Sequence, residues 1–276
     1  MLFFLSEEGV LYLLQDKTLL LLCDKPSTLG YNRCLLVHKQ LNQIGSNGIL
    51  TLCNKQWLPE VSLPSPDTNI IWDHKQLLVC NNNLYYIGGY YHRINDIPQS
   101  SNAAFKFINN TWLPLAPMHK KRSIPLLVTV QGYILAIGGS DNSCEYYNTQ
   151  TNTWTLTSLP PINTSNPTAI RTCYNTAASV YKGNVYLFGG IATSSKILCY
   201  DITLNKWTQC GFNAGKRIGF KAVTQDNYIM IIGGSEQTSH RNKSYCFIDY
   251  YYPDTQEWSF NKIKLPALGR CDVVVW

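Results

Sequence analysis

The chain has few charged residues and no long hydrophobic run. Of its 276 residues only 14% are charged and 45% are hydrophobic, which excludes an intrinsically disordered chain and favours a folded core. No apolar run approaches the roughly 18 to 20 residues that cross a bilayer, because Lys17 and Asp24 flank the run Thr18–Cys23. The first five residues lack the basic start and cleavage pattern of a secretory signal. We therefore expect a cytoplasmic protein, with the nucleus as the alternative compartment, and no membrane partner.

Motifs that carry enzymatic chemistry are also missing. The five histidines show no metal-ligand spacing, no Gly-x-Ser-x-Gly or Gly-x-x-x-x-Gly-Lys sequence occurs, and the few glutamates form no repeated acidic box. None of the ten cysteines forms a Cys-x-x-Cys pair, and without a secretory signal we expect them to stay reduced as small apolar residues. The sequence therefore predicts no enzyme, no catalytic residue, no cofactor and no metal site.

The positive charge of the chain is not concentrated in one region. The formal net charge of +6 is scattered along the chain, which favours either a mildly acidic partner or simply a solvated surface. The only basic run, His119–Arg122, is too short for a nucleic-acid-binding stripe. We therefore expect no nucleic-acid partner and interpret this run as a solvated turn or a contact for an acidic peptide.

What the sequence does contain is a repeat with a period near 50 residues. The first members of four glycine pairs are 50, 51 and 44 residues apart, and five tryptophans follow at a similar period. Seven residues before each tryptophan stands Leu, Phe or Tyr. The markers are Gly88 and Gly89, Gly138 and Gly139, Gly189 and Gly190, Gly233 and Gly234, and Trp57, Trp112, Trp154, Trp207 and Trp258.

The segment Lys216–Gly234, KRIGFKAVTQDNYIMIIGG, shows the local structure of one repeat. Two runs rich in β-branched and aromatic residues are separated by the turn-forming Asp226 and Asn227, which predicts a hairpin that ends in glycines. A second strand-turn-strand pattern surrounds each tryptophan. Every repeat therefore contains four predicted strands and no helical period, so the fold class is all-β.

A hydrophobic strand, Gly-Gly, an aromatic residue and then a turn and Trp resembles the kelch repeat, whose units are the four-stranded blades of a β-propeller. The resemblance covers nearly the whole chain and implies a single kelch propeller domain over residues 1–276. The repeats are expected at about 9–63, 70–117, 120–161, 170–212 and 215–266, with 268–276 as a closing strand.

Closure of the ring decides the blade count. In similar propellers the C-terminal strand often completes the N-terminal blade, so Arg270–Trp276 is expected to join the first repeat and give five blades. A six-bladed propeller that lacks its last blade is the alternative, which we disfavour because it would expose two long edge strands. The segment between Asp24 and Ile49 is interpreted as an irregular insertion and a candidate contact surface.

The glycine and tryptophan markers are expected to be structural. Glycine permits positive φ and close backbone approach at the bend after the second strand. Each tryptophan is expected to wedge between adjacent blades, because a single blade cannot cover both of its faces.

The candidate binding residues lie where each blade begins. Arg122 and Arg217 stand sixteen residues before their glycine pairs, and Arg270 has the same position relative to the strand that follows it. In the second and fourth repeats this position holds Trp72 and Cys173, and Arg171 is two residues from Cys173. These side chains are expected at the mouth of the propeller, where guanidinium groups suit carboxylate or phosphate. The alternative is that the arginines pair with neighbouring loop carboxylates or carbonyls. Rim contacts are expected from Tyr90, Tyr91, His92 and Arg93.

Arg217-Ile218-Gly219 looks like the Arg-x-Gly opening of kelch domains in BTB-kelch adaptors, where arginines at this corner line a substrate pocket. The glycine is missing after Arg122 and Arg270. The resemblance implies the substrate-binding kelch domain of a cullin-based ubiquitin ligase adaptor, which receives a protein or peptide segment that is often acidic. The cullin would be reached through BTB and BACK domains that are absent from this chain, so we expect an excised domain or a shortened relative. We also expect Arg217→Ala to weaken binding while leaving the melting temperature nearly unchanged.

Two functions from other classes remain open. A cytoskeletal or scaffold kelch protein would bind actin or another structural partner through the sides and loops of the propeller. A propeller enzyme, the less favoured alternative, would bind a metal or small molecule in the central channel. Fold alone does not separate these functions.

Overall fold

The computed structural model describes twenty segments of the chain as strands, turns and connecting loops. The strands before residue 77 and the C-terminal strand are described through their backbone pairing. Among all the residues that the structure describes, no helix is long and apolar enough to cross a membrane. The described residues are 2–5, 11–15, 18–23, 33–37, 40–44, 48–53, 56–62, 70–73, 77–81, 83–93, 97, 99–109, 111–139, 143–161, 176–189, 196–213, 217–237, 242–244, 247–264 and 272–275.

Most of the described strands belong to six four-stranded antiparallel sheets, which we call blades 1 to 6. Blade 1 contains β4 (Arg33–Val37), β5 (Gln40–Ile44), β6 (Gly48–Cys53) and β7 (Gln56–Ser62). Blade 2 contains β9 (Leu77–Cys80), β10 (Asn83–Ile87), β13 (Ala104–Ile108) and β14 (Thr111–Pro114). Blade 3 contains β15 (Leu126–Val130), β16 (Tyr133–Ile137), β17 (Cys144–Asn148) and β18 (Thr153–Leu156).

The remaining three blades complete the set. Blade 4 contains β19 (Thr176–Tyr181), β20 (Asn184–Gly189), β21 (Lys196–Asp201) and β22 (Lys206–Phe212). Blade 5 contains β24 (Lys221–Gln225), β25 (Tyr228–Ile232), β28 (Phe247–Tyr252) and β29 (Glu257–Lys264). Blade 6 contains β30 (Asp272–Val275), β1 (Leu2–Leu5), β2 (Leu11–Gln15) and β3 (Thr18–Cys23).

The first strand of each blade contacts the first strand of the next, so the six sheets close into a ring. The contacts run from β4 through β9, β15, β19, β24 and β30 and back to β4. Blade 6 closes the ring because β30 pairs with β1 from the opposite end of the chain, with Leu2 opposite Val275 and Leu5 opposite Asp272. The structure is therefore a β-propeller, and the expected closing strand does pair with the N-terminal segment.

The expected count of five blades is wrong for the described strands, which form six sheets. The hairpin of β2 and β3 pairs through β2 with β1, so it is the outer part of blade 6 and does not belong with β6 and β7. The segment interpreted as an insertion contains β4 and β5, which pair with each other and extend to β6. The alternative of a six-bladed ring lacking its last blade is also incorrect, because β30 and β1–β3 supply that blade.

The hydrophobic core consists of clusters that lie between neighbouring blades. Trp154 packs with Ile87 of blade 2 and Ala136 of blade 3, and its Nε1 donates to the Ala116 carbonyl at 2.8 Å. Trp207 and Trp258 repeat this arrangement one and two blades later, with Nε1 donating at 3.0 and 2.9 Å to the carbonyls of Ser158 and Phe212. Because each ring reaches the end of the preceding blade, these tryptophans hold adjacent blades together.

Candidate functional site

Two small three-stranded sheets stand where blades 2 and 5 begin. The blade-2 cap consists of β8 (Ile70–Asp73), β11 (Tyr90–Arg93) and β12 (Gln99–Ser100). The blade-5 cap consists of β23 (Arg217–Ile218), β26 (Ser235–Gln237) and β27 (Asn242–Ser244). In each cap the segment that enters the blade pairs with the hairpin that follows its glycine pair. The end of the propeller that carries the predicted binding residues is therefore built from the caps and the loops beside them.

The blade-2 cap brings five of the predicted site residues together. Tyr91 lies directly opposite Trp72, and Tyr90 lies opposite Asp73. Tyr90 and Tyr91 are half-buried, and the Tyr91 hydroxyl donates to Gln99 Oε1 at 3.1 Å across the hairpin. The two remaining members are His92 and Arg93, which continue β11 opposite Ile71 and Ile70.

Backbone hydrogen bonds attach the first residues of blade 3 to this cap. Gly89 N donates to the Arg122 carbonyl at 2.9 Å, and Arg122 N donates to the Ser101 carbonyl at 2.8 Å. Gly88 has φ +67°, and a Cβ there would lie 2.8 Å from the Arg122 carbonyl oxygen. The glycine pair therefore permits the close approach that places the loop His119–Arg122 beside the blade-2 cap.

The Arg122 side chain is enclosed by the protein. Its Nε and Nη2 donate to Glu145 Oε1 at 3.1 and 2.9 Å, and Nη1 donates to the carbonyls of Gly138 and Ser143, both at 2.6 Å. Nη2 also donates to the Ser143 hydroxyl at 2.8 Å, and the residue is 0% exposed. Every nitrogen of the guanidinium group is therefore used internally, as the alternative interpretation of carboxylate and carbonyl pairing describes.

Glu145 organises the whole loop His119–Arg122. Its Oε2 accepts from His119 N at 2.9 Å and lies 3.0 Å from His119 Nδ1, while Oε1 accepts from Lys120 N at 3.4 Å. The carboxylate is fully buried, whereas Lys120 and Lys121 are exposed. One buried carboxylate therefore holds a loop that presents two lysines to solvent beside the blade-2 cap.

Arg217 also pairs with a carboxylate, but it is less enclosed than Arg122. Its Nη2 donates to Asp249 Oδ2 at 2.5 Å, and Asp249 Oδ1 accepts from Asn261 N at 2.7 Å. Arg217 is 7% exposed and borders a small pocket between blades 4 and 5. The pocket is otherwise lined by Phe188, Gly189, Asn213, Phe220, Ile231 and Trp258.

Sequence reasoning missed the two carboxylates that pair with these arginines. Glu145 and Asp249 each stand two residues before the marker tyrosines Tyr147 and Tyr251. Blades 2 and 4 are not preceded by an arginine at the position of Arg122 and Arg217. Two residues before their own marker aromatic residue they have Ala103 and Leu198. In blades 3 and 5, therefore, a carboxylate two residues before the marker tyrosine accompanies the arginine that precedes the blade, and this pairing can be read from the sequence.

Several predicted residues lie outside the described part of the chain. They are Arg171, Arg270 and Gly190, together with Lys216 at the start of the segment that carries Arg217. Trp57 and Trp72 lie in described strands, where only their backbone pairing is described. The predictions for these residues stay predictions.

The chain is similar to proteins with kelch repeats. The family description "KLHDC2/KLHL20/DRC7 Kelch-repeats domain" matches residues 73–271. Kelch-like protein 36 of Rattus norvegicus is 26% identical over 237 residues, which are 81% of this chain and 36% of that protein. Kelch repeat and BTB domain-containing protein 8 of Xenopus tropicalis is 31% identical over 145 residues, which are 48% of this chain and 22% of that protein. The chain thus spans about a third of the length of the first curated relatives it matches.

A solved structure has the same fold. The structure described as "Structure of YjhT" superposes with a TM-score of 0.67 at 12% sequence identity, covering 87% of this chain and 86% of that one. At this identity the likeness concerns the fold alone.

Proposed function

Because the chain belongs to the KLHDC2/KLHL20/DRC7 Kelch-repeats domain family, we propose that it is the substrate-binding module of a cullin-based ubiquitin ligase adaptor. Its ligand would be a segment of a substrate protein, bound at the end of the propeller that carries the two caps. The kelch-like relatives support a protein-interaction role, and a relative whose name includes a BTB domain supports the adaptor role. The cullin itself would be contacted through BTB and BACK domains and not through the propeller.

The observation that carries the proposal is the surface made by Tyr90, Tyr91, Lys120 and Lys121. The tyrosines are half-buried in the blade-2 cap, and the lysines are exposed on the loop bonded to the base of that cap. Tyrosine side chains supply large contact area at low entropic cost and are enriched among residues that dominate binding energy. Positive charge beside them would steer and orient an acidic segment. This surface is therefore suited to a peptide that combines carboxylates with apolar groups.

Arg122 has a different role in this proposal from the one expected from the sequence. Since it is 0% exposed and bonded to Glu145, it positions the loop that carries Lys120 and Lys121 and does not touch the partner. Arg217 borders the pocket between blades 4 and 5 and is the arginine that we propose as a second contact. Arg171, Arg270 and the cap residues Trp72, His92 and Arg93 stay in the proposal as rim residues.

The test is affinity capture with charge-reversed variants. We expect the double variant Lys120→Glu/Lys121→Glu to lose the partner that the wild type captures, because the new charges would repel an acidic segment. Lys206→Glu is the control, since Lys206 is also exposed but lies on blade 4 at the start of β22. Equal capture by the double variant and the control would contradict the proposed surface.

A second experiment measures how much the Tyr91 side chain contributes to binding. Tyr91→Ala is expected to weaken binding of the captured partner by about 2 kcal/mol or more, as at other interface tyrosines, when measured by calorimetry. Tyr133→Ala is the control, because Tyr133 is also partly exposed but packs against Tyr146 within blade 3. Loss of binding in both variants would indicate a general effect on the propeller and would contradict a specific contact at Tyr91.

A further inference from the structure

Two cysteines of blade 4 lie on neighbouring strands next to each other. Cys199 is in β21 and pairs with Thr208 of β22, and Cys210 follows Thr208 by two residues. The ladder is interrupted at this point, since Ile197 pairs with Gly211 and Leu198 pairs with Gln209, which leaves Cys210 as the extra residue of a β-bulge. The Cys210 thiol lies 3.6 Å from the Ile197 carbonyl. The bulge therefore places Cys210 where the backbone ladder does not restrain it.

The surroundings shift the pKa values of the two thiols in opposite directions. A hydrogen bond from the Cys210 thiol lowers the pKa of Cys199, burial opposes this, and a hydrogen bond from Tyr186 lowers the pKa further. The hydrogen bond to Cys199, together with burial, raises the pKa of Cys210. The directions of these pKa shifts make Cys199 the more readily ionised of the two thiols.

Accessibility distinguishes this pair from the other described cysteines. Cys199 and Cys210 are both half-buried, whereas Cys80 and Cys144 are buried at 2% and 0% exposure. A half-buried thiol that small oxidants can reach, with a second thiol close by on the neighbouring strand, has the two properties of a cysteine that forms a reversible disulfide.

We propose that Cys199 and Cys210 form an oxidation-sensitive dithiol that closes to a disulfide within blade 4 when it reacts with a peroxide. The Cys199 thiolate attacks one peroxide oxygen, the O–O bond breaks, and a sulfenic acid and hydroxide result. The Cys210 sulfur then attacks the sulfenic sulfur and forms the S–S bond, and the Cys210 proton joins the departing sulfenic OH to give water. The hydroxide is neutralised by the proton that Cys199 released when it became a thiolate. In total two thiols lose two hydrogen atoms and one peroxide becomes two waters.

The disulfide would act on the contact between blades 4 and 5. The Cys210 carbonyl accepts a hydrogen bond from the Tyr251 hydroxyl at 2.6 Å, and Tyr251 belongs to blade 5. The next residue, Gly211, lies so close that a Cβ there would be 2.7 Å from the same hydroxyl. Because Tyr251 stands two residues from Asp249, movement of the bulge would reach the blade that holds Arg217.

The experiment uses the intact chain and hydrogen peroxide. Trypsin cuts after Lys196, Lys206 and Lys216, so Cys199 and Cys210 fall in two separate peptides, 197–206 and 207–216. After peroxide treatment and alkylation of the remaining thiols, mass spectrometry is expected to show the two peptides cross-linked and their alkylated forms lost together. Dithiothreitol should restore both, while Cys80 and Cys144 stay alkylated throughout.

Two variants test the order of the steps. Cys210→Ser is expected to leave a sulfenic acid at Cys199 that a 1,3-dione reagent traps, and Cys199→Ser is expected to leave Cys210 open to alkylation after peroxide. The proposal is overturned if peroxide produces no cross-link between 197–206 and 207–216 in the wild type. It is also overturned if Cys80, Cys144, Cys199 and Cys210 all lose alkylation at the same rate, since that would indicate unfolding and not a selective pair.

Discussion

The arginines that precede blades 3 and 5, Arg122 and Arg217, occupy the same position in the repeat but have different surroundings. Arg122 is enclosed by Glu145 and two carbonyls at 0% exposure, whereas Arg217 is bonded to Asp249 and borders a pocket at 7% exposure. The difference arises in the loops, because the Glu145 carboxylate also binds the backbone of His119 and Lys120. A repeated arginine is therefore scaffold in one blade and a candidate contact in another.

The largest loss of stability is expected on replacing Arg122, the more enclosed of the two arginines. Arg122→Met would leave the Glu145 carboxylate buried without its cation, which costs about 3 to 5 kcal/mol of unfolding free energy. Urea unfolding followed by tryptophan fluorescence measures this loss. The double variant Arg122→Met/Glu145→Met removes both charges and should recover part of the stability. A single variant as stable as the wild type would show that the pair does not support the loop.

A smaller effect is expected at Arg217. Arg217→Met leaves the Asp249 carboxylate without its cation. Because Arg217 is less enclosed than Arg122 and borders a pocket, the loss should be smaller, about 2 to 3 kcal/mol of unfolding free energy. This replaces the expectation that the melting temperature stays nearly unchanged. Binding is compared at a temperature where both proteins are folded. If Arg217→Met and Arg122→Met destabilise equally and neither affects binding, the distinction between the two arginines is wrong.

The glycine pair next to Arg122 gives the third prediction. Gly139 has φ +104°, and a Cβ there would lie 3.0 Å from Arg122 Cβ, so Gly139→Ala should cost about 1 to 2 kcal/mol through strain and crowding. Gly132→Ala is the control, because Gly132 also has positive φ while the nearest atom to its Cβ is 3.6 Å away. Equal losses in the two variants would mean that strain alone, and not crowding by Arg122, accounts for the effect.

The smallest effect is expected at an exposed ion pair, which serves as a reference for the two buried pairs. Hydrogen bonds from Lys182 and Tyr181 lower the pKa of Asp254. A carboxyl group whose pKa is lowered by folding contributes stability above its unfolded pKa and loses it as the pH falls through the folded value. Asp254→Asn should therefore reduce stability slightly at pH 7 and not at all in acid, as measured by thermal unfolding. A loss as large as that of Arg122→Met would contradict the ranking by burial.

Much of the fold could be predicted because its signals are local. The glycine pairs need backbone conformations that other residues avoid, and Asp226 and Asn227 mark a turn between two strand-forming runs, so the hairpins of blades 2 to 5 are evident from short segments. The candidate site was predicted less completely. The sequence predicted Tyr90 and Tyr91 as rim contacts, and that stays a prediction. The enclosure of Arg122 depends on Glu145, which is 23 residues away in the chain.

By itself the sequence determined the repeat and the all-β fold, because spacing, glycine conformation and strand propensity act within a single repeat. The closing strand was expected only from the resemblance to kelch propellers. Only the tertiary structure decided that β1 to β3 complete a sixth blade, since β1 pairs with β30 across nearly the whole length of the chain. It also decided which arginine borders a pocket. Whether a guanidinium group is enclosed depends on the carboxylate and carbonyl groups that surround it, and those come from strands and loops that meet only in the folded propeller.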